Sequence, residues 1–153
     1  MSDELLSARL AAAVWECDRH RSALDGALAE WRGLATPGVA ALETDSALQR
    51  LTDQILYRFI KLQDAMGERL IPATLGWLRE PHESWPMRDR LDRLERLGHL
   101  KVEEWLAWCD IRNRLAHEYP NEAALRHAAV LATVDAAVTM VAAYQSRKGM
   151  LPG

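Results

Sequence analysis

The chain has 153 residues, of which 49% are hydrophobic and 27% charged, with a formal net charge of −3. That length suits a single domain, residues 1–153, large enough to bury a core without disulfide or metal staples. The mild acidity argues against a sequence-blind nucleic-acid coat protein, which carries a large basic excess, but not against an enzyme that holds RNA briefly.

The opening, MSDELLSARL, is acidic where a secretory signal is basic, and Ser2 to Arg32 reads as one long helix. Leu6, Leu10, Ala13, Val14, Cys17, Leu24 and Leu28 recur along it at helical spacing. Thr36-Pro37-Gly38 ends it, and the stretch to Glu43 reads as a linker. Ser46 followed by Gln49 looks like a capping box for a second helix, whose buried stripe is Leu48, Leu51, Ile55, Phe59 and Leu62. Gly67 and Pro72 should kink or divide it, leaving Ile71 to Arg79 as a separate short helix. Glu80 to Pro86 reads as a loop.

Met87, Leu91, Leu94 and Leu97 mark a charged helix ending at Gly98, a natural C-cap. Another helix spans about Val102 to Glu118 and stops before Pro120. Asn121 is expected to cap the last helix, which runs to about Ser146. Its most apolar part, Val130 to Tyr144, is interrupted by Asp135 and falls short of the ~20 residues that span a bilayer, so no membrane partner is expected. The 24 Ala and 23 Leu outnumber the 21 Val, Ile, Thr, Phe and Tyr combined, which favours an all-α chain. The expected architecture is an up-down bundle of four main helices plus a short one.

Cys17 and Cys109 form no CxxC pair and no disulfide framework, which points to a reducing, cytoplasmic setting. Cys17 and His20 have CxxH spacing, yet no second ligand pair follows, so the better reading is a helix-surface pair. His82, His99 and His127 stand alone and read as solvent-facing or capping residues. No Walker loop, HExxH or glycine-rich dinucleotide fingerprint occurs, and neither metal nor cofactor is expected.

The helix preceding Pro120 carries the chemistry. At 100° per residue, Arg112 falls between Trp108 and Trp105, and Asn113 between Val102 and Leu106, on an otherwise apolar arc. A guanidinium there must be paired, as with a core carboxylate such as Asp135, exposed in a cleft, or functional. Asn113 and His117 are four residues apart and share a face, while Arg112 and His117 can border one cleft. Tyr119, just before Pro120, can swing out near His117. Histidine titrates near neutrality and arginine matches phosphate oxygens, so the pair suits metal-free RNA cleavage. His117 would act as general base or acid, Arg112 would stabilise charge on the phosphate, and Asn113 would orient either. The arginines of the Met87 helix, among them Arg90 and Arg93, read first as ion-pair members and second as a basic rim for RNA. Trp105 or Trp108 could stack a base.

At Arg112-Asn113-Arg114-Leu115-Ala116-His117-Glu118-Tyr119 the sequence resembles the HEPN superfamily, specifically its HepT-like toxin branch, with Arg-x4-His-x-Tyr near the end of a long helix. Tyr57 to Gly67 and Leu94 to Trp105 are similar to that branch as well, and the likeness covers about Leu48 to Tyr144. The resemblance implies a helical homodimer with two such motifs across a composite cleft, a metal-independent endoribonuclease toxic to its own cell. It also implies a minimal nucleotidyltransferase antitoxin that adds AMP to Tyr119. Some members only bind nucleotides or partners. A non-catalytic partner of the nucleotidyltransferase is therefore the alternative, and a structural dimerisation module with Arg112 as a salt-bridge partner is a third reading.

Overall fold

The computed structural model describes residues 2–117 and 119–152. It is all-helical, with no strand among the described residues. Helix α1 spans Asp3–Arg32. The Ser2 hydroxyl accepts from the Leu5 amide at 3.3 Å, and Asp3 and Glu4 place negative charge at the positive end of the helix. Its buried face, Leu6, Leu10, Ala13, Cys17, Leu24 and Leu28, is the spaced apolar set of the sequence without Val14, which is half-buried, and is extended by His20, Ala27 and Trp31.

The stretch after Pro37 is more than a linker, because Val39–Thr44 forms a short helix, α2. Helix α3, Ser46–Ala65, is capped by Asp45 rather than Ser46, the carboxylate accepting from the Leu48 amide at 3.1 Å. Gln49 closes no capping box either, since its side-chain amide donates to the Leu42 carbonyl.

Gly67 and Pro72 do not break the chain's helical path. Met66–Leu70 forms a π-helical turn, and α4, Ile71–Trp77, follows directly. Pro72 lies in the first turn of α4, where a missing N–H is tolerated. Gly67 is needed for close approach, because a Cβ there would stand 3.2 Å from two ring atoms of Trp105.

Helix α5 spans Met87–Arg96, and Gly98 follows it with φ +81°. Helix α6, Val102–Leu115, is shorter than its pattern suggests, and the expected end at Glu118 lies outside the described residues. Helix α7 spans Ala123–Lys148. Asn121 does not cap it; that residue has φ +62°, in the left-handed region. By length and composition alone α7 is long and apolar enough to cross a membrane. In the bundle it buries Thr133, Val134, Ala137, Met140 and Tyr144.

One continuous core joins the helices around Ile55, Phe59 and Leu62 of α3, Leu24 and Leu28 of α1, and Ala137 and Met140 of α7. Truncating fully buried Phe59 to Ala should cost about 3–5 kcal/mol. The core also holds an arginine. Arg147 is 2% exposed, its Nη2 donates to the Thr74 hydroxyl at 2.9 Å, and Nε and Nη1 find no partner among the described residues. Burial pulls its pKa down to about 10, against smaller opposing contributions from Cys17 and Tyr144.

Of the two readings of the lone histidines, solvent-facing or capping, the first does not hold for His82 and His99. His82 and His99 are buried, and His127 bonds the Pro37 carbonyl at 2.8 Å, pinning α7 to the start of α2. Cys17 and His20 are also core residues rather than a surface pair. Burial pushes the Cys17 thiol up to about 12, and His20 Nδ1 accepts from Arg58 at 2.9 Å.

Candidate functional site

Arg112 sits in the last turn of α6 and is ion-paired through Nη1 with Asp64 of α3. The carboxylate is thus Asp64, not Asp135, which is exposed on α7. The hydrogen bond to Asp64 holds the guanidinium above its ordinary pKa, outweighing partial desolvation. The arginine's Nε and Nη2 have no partner among the described residues, and its side chain is 38% exposed. Asp64 stands directly ahead of the segment where the helical path widens, and Gly67 within that turn receives Trp105 of α6. The same short stretch of α3 and its extension therefore seats both the indole and the guanidinium.

Beyond Leu115 the chain leaves the helix. The Ala116 amide bonds the Asn113 carbonyl, and the His117 amide bonds that of Arg114. Asn113 and His117 are both exposed, and no hydrogen bond joins their side chains. The His117 and Tyr119 rings lie 5.9 Å apart at a tilt of 51°. Tyr119 has φ +46°, a conformation that costs a non-glycine residue energy and persists only where its surroundings enforce it.

Arg126 of α7 supplies that enforcement. Its Nη1 donates to the Tyr119 carbonyl at 2.7 Å, and Nε and Nη2 donate to Glu43 of α2 at 3.1 and 2.9 Å. The helix missed in the sequence thus ties down the segment carrying His117 and Tyr119. These two residues line a cavity of about 310 Å³ with Gln49, Thr52, Asp53, Leu56, Arg126 and His127. Arg112 and Asn113 lie outside that lining, so one chain does not gather all four motif residues around one space.

The expected RNA-binding side chains are placed otherwise. Trp105 and Trp108 are 6% and 4% exposed, packed edge-to-face with centroids 6.1 Å apart, and offer no free face to a base. The Trp108 indole N–H donates to Thr139 of α7. Arg93 grips Glu80 through Nε and Nη2, and Arg90 donates to the carbonyls of Trp85 and Glu83. Both hold the 80–86 loop onto α5 rather than forming an open rim. Among the described residues no cluster of three or more His, Cys, Asp or Glu side chains could hold a metal.

Comparison of the chain with known protein families, characterised proteins and solved structures finds no match.

Proposed function

We propose that this protein is a HEPN-type ribonuclease of the HepT-like branch, the toxin of a toxin–antitoxin pair acting in the cytoplasm without a metal. The observation that carries the reading is the end of α6. Within one short segment it presents His117 on a cavity, Tyr119 beside it, and Arg112 half-exposed with two guanidinium nitrogens open to a phosphate. In this reading the ribose 2′-oxygen attacks phosphorus, its proton passes to His117, and the bond from phosphorus to the 5′-oxygen breaks. A 2′,3′-cyclic phosphate and a 5′-hydroxyl result, and Arg112 neutralises charge on the phosphoryl oxygens.

The leaving 5′-oxygen needs a proton, and a two-fold copy of the chain brings a second His117 to give it. The buried tryptophans do not motivate such a dimer. Leu106 of α6 and Val138 of α7 do, as apolar side chains 45% and 39% exposed. Leu106 and Asn113 are seven residues apart on one helix face, so an interface over Leu106 draws the motif into it. A minimal nucleotidyltransferase antitoxin, adding AMP to Tyr119, completes the proposal.

One observation favours the second reading, a non-catalytic nucleotide-binding or substrate-presenting subunit. Arg112 is already neutralised by Asp64 and stands outside the cavity that holds His117. The two readings separate on RNA cleavage by purified protein and its His117→Ala and Arg112→Ala variants. The nuclease reading expects losses of about 10²-fold or more in each. Cleavage at the wild-type rate in both variants would overturn it.

A further inference from the structure

The cavity beside His117 and Tyr119 has unused hydrogen-bond acceptors on its α3 wall. Its α3 wall presents Gln49, Thr52, Asp53 and Leu56, spaced at i, i+3, i+4 and i+7 on one helix face. Leu42, Leu115, Ala129 and Val130 supply apolar surface, and the His117 and Tyr119 rings, Glu43, Arg126 and His127 complete the lining. Each nitrogen or hydroxyl donor group on the α2, α3 and α7 sides already makes a bond within the chain. Gln49 Nε2 donates to the Leu42 carbonyl, Thr52 Oγ1 to the Gln49 carbonyl, and His127 Nε2 to that of Pro37. Arg126 is committed to Glu43 and the Tyr119 carbonyl.

Acceptors remain. The Asp53 carboxylate has no partner among the described residues, and Gln49 Oε1 is likewise unused. A volume of about 310 Å³ lies at the small end of ligand pockets, the size of one nucleoside rather than a peptide. We propose that this cavity takes one unpaired base of the RNA and selects guanine, with Asp53 as the specificity-determining residue.

The selection follows from the base edges. Guanine presents two adjacent donors, N1–H and the N2 amino group, which one carboxylate accepts together. Adenine and cytosine each set a ring-nitrogen acceptor beside their amino donor, and uracil flanks a single N–H with two carbonyls. Any of the three would turn at least one lone pair toward Asp53, leaving an unmatched polar contact that costs affinity. Unstacked bases are the usual object of sequence-specific RNA recognition, read on these edges beside aromatic side chains.

The inference deepens the proposed nuclease reading and names the substrate feature it would read, but its test does not depend on cleavage. Titration calorimetry with the 3′-monophosphates of guanosine, adenosine, cytidine and uridine reads the pocket directly. Guanosine monophosphate should bind about tenfold or more tighter than the other three, and Asp53→Asn should abolish that advantage without altering the melting temperature. Equal binding of the four, no binding of any, or a guanine preference that survives in Asp53→Asn would overturn the proposal. Cleavage of an oligonucleotide with a single guanine, run in parallel, separates the two claims. Guanine-selective binding without cleavage leaves the pocket standing and removes the nuclease, whereas cleavage indifferent to base does the reverse.

Discussion

The guanidinium of Arg112 is held by the carboxylate of Asp64 across the α3–α6 contact, one turn from the helix end that carries His117. Only Nη1 is engaged, so the carboxylate orients the planar fork while Nε and Nη2 stay available. Asp64 thus acts on RNA, in the nuclease reading, through the arginine it positions.

Asp64→Asn should lower cleavage by about tenfold, mainly in the rate at saturating RNA, because the arginine's alignment in the transition state is what is lost. Both side chains are partly exposed, so the pair should contribute only about 0–1 kcal/mol to stability. Rate measurements beside urea denaturation check both parts. Wild-type cleavage in the variant would show that Arg112 needs no positioning by Asp64.

Tyr119→Phe should keep nuclease activity within about threefold, since the phenolic hydroxyl takes no part in proton transfer in this scheme. It should also escape silencing by a co-expressed nucleotidyltransferase. An AMP group on that hydroxyl would bring negative charge and bulk to the cavity beside His117. Mass spectrometry should find the added mass on Tyr119 and not on Tyr144, whose hydroxyl is buried against Asp18 at 2.7 Å. Normal silencing of the Phe variant would place control elsewhere.

Stability should fall as the pH drops below the ordinary histidine value of 6.5. Burial, and then Arg147, depresses the His99 pKa; burial, and then Arg58, depresses that of His20. Between the lowered folded values and 6.5 the unfolded chain binds more protons, so unfolding free energy rises with pH through that window and is complete above it. Urea titrations from pH 5 to 7.5 should show this slope, and His99→Gln should flatten it. An unchanged slope in the variant would remove His99 from the account.

Arg147→Met should raise stability by about 1–3 kcal/mol at neutral pH. The guanidinium is buried with two nitrogens unpartnered among the described residues, and methionine keeps most of the volume without the charge. Its pKa is lowered to about 10, so the penalty is fully present below that value and eases as pH climbs from there toward the ordinary arginine value. A lower melting temperature in the variant would mean that the core accommodates the cation through contacts these helices do not show.

The helical class and most of the buried stripe were legible because Leu6, Leu10, Ile55, Phe59 and Leu62 repeat at a period only a helix satisfies. Local chemistry was less legible. Asp45 and Ser46 are both good cap residues, and pattern alone does not choose between neighbours. Gly67 looked like a break because its tertiary role, admitting the Trp105 ring beside a π turn, depends on a helix about forty residues away. An arginine between two tryptophans announced the need for a partner, but any half-buried carboxylate could have met it. Asp64 stands out from Asp135 only once α3 and α6 are packed. The Arg126 clamp on Tyr119 joins three elements, one of which the turn-rich sequence around Pro37 concealed.

The central claim is metal-independent RNA cleavage by the segment at the end of α6. Its most direct test is incubation of purified protein with total cellular RNA in EDTA, followed by end-group analysis of the fragments. The account predicts cleavage undiminished by EDTA, with 2′,3′-cyclic phosphate and 5′-hydroxyl ends, and at least about 10²-fold less product from His117→Ala. Cleavage that requires an added divalent metal, or fragments bearing 5′-phosphates, would contradict it.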